Sequence, residues 1–156
     1  MQTGLVHLHS LLRWVILILL VISIFKAYMG WKSGKAFQAG DRKIWLFTMI
    51  SAHITLVLGL YQWLIGRYGV ISQHLPEGSM VPESKYLRFF QLEHPILMIV
   101  AIVLITLGYG MAKKPVDNKV KYGRALRYFV YALVIILLMI PWPFRELIGR
   151  PLFPGM

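Results

Sequence analysis

Three histidines, His9, His53 and His94, each fall inside a separate apolar stretch of the chain. A ligating or ionisable side chain costs free energy inside a membrane, so its presence there points to function. Two imidazoles from different helices can take haem iron from opposite sides, a bis-histidine arrangement suited to electron transfer. The chain has no cysteine, which removes disulfides, iron–sulfur ligation and covalent c-type haem attachment. It also has no nucleotide-binding loop, no Ser-His-Asp set and no carboxylate pair at acid–base spacing, so soluble enzyme chemistry has no foothold. The chemistry to expect is a non-covalently held haem b, with His53 serving a second haem or a quinone.

The stretches that carry these residues are membrane spans. The sequence is 58% hydrophobic and its mean hydropathy is +0.64, too apolar for a water-soluble domain of this size. Crossing the hydrocarbon takes about 20 mainly apolar residues per helix. Four segments qualify, at about 5–29, 44–65, 87–111 and 125–140. Their runs are continuous rather than alternating, which excludes a transmembrane barrel. The connections are short, so the expected fold is all-α: one domain over 1–156, an antiparallel four-helix integral membrane bundle. The start, Met1-Gln2-Thr3-Gly4, lacks a basic leader, and the first span is read as retained.

Charge sets the expected orientation. The first connection carries Lys32, Lys35, Arg42 and Lys43 against Asp41; the third carries Lys113, Lys114, Lys119, Lys121, Arg124 and Arg127 against Asp117. The second is nearly balanced. Loops one and three are therefore expected to be cytoplasmic and both termini outside. The net charge of +11 then records topology and attraction to anionic lipid, not nucleic-acid binding.

Helical geometry sorts the candidates. His9 shares a stripe with Arg13, Ile16, Leu20 and Ala27, whereas His7, two residues away, points elsewhere. His94 shares its face with Phe90, Met98, Ala101, Ile105 and Gly108. At about 1.5 Å per residue, His9 lies roughly 12 Å and His94 about 7 Å outward of their helix midpoints, so the two can meet. His53 lies deeper. Arg88 and Arg145 suit haem propionates, because arginine pairs bidentately with carboxylates; Arg13 is placed either at the cofactor or against Glu93. Pro95 either kinks its helix or starts the regular part of it. Each histidine also admits a structural role, as a hydrogen bond between helices. His7 and His74 read as interfacial or loop residues.

The segments His7–Trp14, Ala52-His53, Leu87–His94 and Ile140–Arg145 resemble small bacterial membrane proteins known as cytochrome b-like, and more loosely cytochrome b561-type proteins. The resemblance implies a four-helix protein of the bacterial inner membrane that binds haem. The expected activity is electron transfer between the quinone pool and a redox partner on the outer side. Two other classes remain open: a haem-free subunit or assembly factor of a larger respiratory or redox complex, and a membrane enzyme oxidising quinol or superoxide.

Overall fold

The computed structural model describes residues 2–66, 69–71 and 85–153. The described chain is helical, with no strand among these residues. Helix α1 covers Gln2–Ser33 and α2 covers Ala39–Ile65. A single turn, α3 (Lys85–Arg88), passes through a π-helical turn (Phe89–Glu93) into α4 (His94–Gly110), which tightens into a 3-10 turn at Met111–Lys113. Helix α5 covers Asn118–Met139. Four of these helical runs are long and apolar enough to cross a membrane: 4–33, 39–65, 89–113 and 118–139. The second connection, with His74, lies almost wholly outside the described residues.

The helices outrun the apolar segments that announce them. α1 continues through Lys32, and α2 begins five residues before Ile44, at Ala39. Backbone hydrogen bonding does not stop where hydrocarbon stops; it continues into the interface until a turn residue intervenes. Gly34, at φ 66, supplies that turn after α1. Asp41, read from the sequence as loop, sits in the first turn of α2, where a carboxylate favours the helix dipole.

Helix contacts form a ring: α1 packs on α2 and α5, and α4 packs on α2 and α5. Pairings run in opposite chain directions. Along α1 and α2, Gln62 Nε2 donates to the Leu5 carbonyl at 3.0 Å, Ser23 meets Thr48 at 2.8 Å, and Lys26 meets Asp41 at 2.8 Å. Large exposed apolar side chains, among them Ile18, Phe25, Val57, Val103 and Leu138, cover the outside. Hydrophobicity does not drive helices together in lipid; close packing and hydrogen bonds do.

At the end carrying the first and third connections, large aromatic side chains fill the interior. Trp45, Tyr122 and Phe129 are fully buried there, with Trp45 edge-on to Tyr122 at 5.9 Å and to Phe129 at 5.4 Å. Small residues make room for them. A Cβ on Gly30 would overlap the Tyr122 ring, and one on Gly108 would overlap Phe129. Asp41, 1% exposed, accepts from Lys26 and from the Tyr122 hydroxyl, with Lys35 at 3.7 Å. One carboxylate thereby ties three helices.

Candidate cofactor site between the histidine helices

The other end, where the described chain begins and ends, is built around Pro95. In a regular helix the amide of residue 95 would donate to the carbonyl of Gln91. Proline has no such donor, and the helix widens here instead: the His94 amide donates to Phe89, five residues back. The Gln91 carbonyl is met from outside by the Trp63 indole of α2, at 2.8 Å. π-Turns of this kind occur frequently at functional sites. Of the two sequence alternatives the helix start is close: the regular α-helix begins at His94 with Pro95 in its first turn, and what precedes it is a π-turn.

A second pair of prolines shapes the end of α5. Pro141 and Pro143 cannot donate to the carbonyls of Leu137 and Met139, leaving orphan acceptors at the helix terminus. Side chains take their place. The Trp142 indole donates to Leu137 at 2.8 Å, Arg145 Nη1 to Leu138 at 2.8 Å, and His94 Nδ1 to Met139 at 2.9 Å. A carbonyl only accepts, so Nδ1 of His94 carries the proton and Nε2 keeps its lone pair. No protein group bonds Nε2 among the described residues. A second-atom anchor of this kind is what fixes the tautomer of a metal-ligating histidine.

His9 lies across from it. The ring centroids of His9 and His94 are 6.4 Å apart, with ring planes at 61°. Nδ1 of His9 is buried with no hydrogen-bond partner. Its ring rests against Gly59 of α2, where a Cβ would stand 3.2 Å from His9 Cε1. The two rings border a cavity of about 190 Å³, lined also by Arg13, Ala52, Thr55, Met98 and Arg150. Tyr61 and Ile99, both on the exposed surface, lie on its wall as well, so it opens sideways between α2 and α4.

The chain after α5 folds back over this end. The Leu152 carbonyl accepts from Arg13 Nη2 at 2.7 Å and from the Trp14 indole at 3.0 Å. Phe153 stacks on Trp14 at 5.5 Å, and the Arg150 guanidinium lies over Phe90 at 4.8 Å.

The candidates from the sequence divide accordingly. His9, His94 and Arg13 come together. His53 does not join them: it is on the exposed side of α2, its Nδ1 bonded at 2.9 Å to the Met49 carbonyl of its own helix. The buried face of α2 runs through Ala52 and Thr55, and residue 53 is about 100° around from 52. Arg88 is taken by Glu93 at 2.9 Å on the surface, which also removes Glu93 as a partner for Arg13. Arg145 caps α5 and lies over the Phe89 ring at 5.0 Å. Neither Arg88 nor Arg145 lines the cavity. Sequence reasoning missed Gly59, Trp63 and Arg150. Pro95 and Pro141 signalled that carbonyls would need outside donors, but no sequence signal marked Gly59.

The donor set fits a haem better than a bare metal ion. Among the described residues no group of three or more His, Cys, Asp or Glu could hold a metal by itself. Two imidazoles sharing one metal at about 2 Å per bond have ring centres roughly 6 Å apart, close to the separation observed. A macrocycle supplies the other four bonds and needs only these two from the protein. The enclosed volume is smaller than such a group, and the cavity is open at its side. Comparison with known proteins returned no family model, no curated protein and no solved structure that matches this chain.

Proposed function

We propose that this chain is a b-type cytochrome of the bacterial inner membrane, an antiparallel four-helix bundle with both termini outside. It passes electrons between the quinone pool and a partner on the outer side. His9 and His94 would hold the iron of one haem. The observation that carries this reading is the pair of buried imidazoles, 6.4 Å between centroids, with His94 Nδ1 committed to Met139 and His9 Nδ1 committed to nothing.

Haem supplies one-electron chemistry when bound. The protein's part is to hold and orient it. The Met139 carbonyl keeps the proton on His94 Nδ1, which presents Nε2 as a lone-pair donor and raises its basicity. Gly59 leaves room for the His9 ring. Arg13, whose Nε is buried without a partner, and Arg150 place positive charge on the cavity wall, where carboxylates are recognised by charge-assisted hydrogen bonds. They replace Arg88 and Arg145 in that role. The folded-back chain at Leu152 limits water at this end.

The test is spectral. Purified protein should show sharp b-type bands in a reduced-minus-oxidised spectrum and about one haem per chain, a stoichiometry set by two axial ligands per iron. His9→Ala and His94→Ala should each abolish the bands, while His53→Ala and His7→Ala should leave them. Protein that stays colourless after haem supplementation overturns the proposal. That result would favour a haem-free subunit of a larger complex, a reading whose support is the His94–Met139 bond itself, which ties α4 to α5 without any cofactor.

A further inference from the structure

At the opposite end of the bundle, α5 carries Arg124, Arg127, Tyr128 and Tyr131, which alone line a second, shallow groove. Arg124, Arg127 and Tyr131 are exposed, and Tyr128 is half-buried. None of the four side chains makes a hydrogen bond or ion pair with another described residue. Their depth makes this unusual. The Trp31 ring packs against Gly123, where a Cβ would come within 2.9 Å of it. Tryptophans beside lysines, such as Trp31 next to Lys32, sit at the headgroup level. Arg127 is therefore about 6 Å, and Tyr131 about 12 Å, further along α5 into the span. On the outward side of the same helix, Val130, Val134 and Leu138 are exposed, as lipid-facing residues are.

An unpaired guanidinium facing lipid below the headgroup level is costly unless a counter-charge reaches it. The geometry points to a binding site for an anionic phospholipid, its phosphate held by Arg124 and Arg127 and its glycerol region by the hydroxyls of Tyr128 and Tyr131. Arginine matches a phosphate through paired N–H donors. A lipid brings that phosphate to this depth with its acyl chains already against Val130 and Val134, whereas a free anion would have to leave water to reach it. The net positive charge of this end of the chain complements an anionic headgroup and disfavours a zwitterionic one, whose ammonium would meet the same arginines. The site does not depend on the histidine pair, which lies at the other end of the bundle.

The test uses the full-length protein in detergent, titrated with phosphatidylglycerol or phosphatidylcholine and read by native mass spectrometry. Two charge-assisted contacts predict on the order of tenfold tighter retention of phosphatidylglycerol. Arg124→Gln with Arg127→Gln should erase that preference. Lys114→Gln with Lys119→Gln, which removes the same charge from the same end, should preserve it, and inorganic phosphate should not displace the lipid. Equal retention of the two lipids by the unmodified protein overturns the proposal. So does a lysine control that weakens binding as much as the arginine pair, or displacement by inorganic phosphate.

Discussion

The two ends of this bundle are built from the same four helices and solve opposite problems. At the aromatic end, Trp45, Tyr122 and Phe129 fill the space that Gly30 and Gly108 open, and Asp41 is met by Lys26, Lys35 and Tyr122. At the histidine end, a cavity persists, and the buried Nδ1 of His9 and Nε of Arg13 have no partner. Buried polar atoms are normally satisfied. Their concentration around one void, next to a π-turn, distinguishes a place prepared for an occupant from a place that merely packs. The orphan among the described residues of the aromatic end, the Trp45 indole nitrogen, does not line that cavity.

The contrast can be broken from either side. The largest effect on stability should follow Asp41→Ala, which leaves Lys26 and Tyr122 without their shared acceptor. Breaking a buried pair costs about 3–5 kcal/mol, and the lower end applies because Lys26 is 34% exposed and can reach water. The midpoint of thermal unfolding in detergent should fall, while any haem spectrum survives. Phe129→Ala should cost about 2 kcal/mol, below the ~3–5 of a water-soluble core, because in lipid the packing loss counts and the transfer from water does not. Unfolding in SDS measures it.

At the histidine end, stability and function should separate. Trp63→Phe removes the donor to Gln91 and should cost about 1–2 kcal/mol, the penalty of an unmet buried carbonyl; helical content by circular dichroism should barely change. Gly59→Ala adds one methyl 3.2 Å from the His9 ring. Its effect on unfolding should be the smallest, under about 1 kcal/mol, since a ring beside a cavity can shift. Yet the haem spectrum should broaden or weaken, because the ligand has moved. A Gly59→Ala variant with lowered stability and unchanged pigment would show that the histidine end is packed for structure alone.

Much of this architecture is legible along the chain. The spans can be counted because apolar length is a local, additive property, and His9 and His94 can be matched in depth because helical rise is constant. The prolines mark where carbonyls lose their donors. What cannot be read is rotation. The π-turn at Phe89–Glu93 inserts one extra residue, turning everything before it by about 100° relative to α4. Arg88 and Glu93, five apart and so about 140° around an unbroken helix from one another, are brought together on the surface by it. Arg150 is invisible as a site residue because only the fold-back after Pro141 carries it over Phe90.

By itself, the order of residues determined four spans, the basic first and third connections, and two histidines at matching heights. All of these follow from sums over neighbours in the chain. The tertiary structure alone decided which imidazoles face each other, why His53 looks outward, and which arginines border the cavity. Those outcomes depend on how each helix is turned about its axis. That turn is set by contacts between residues far apart in sequence, Gly30 against Tyr122 and Gly108 against Phe129 above all.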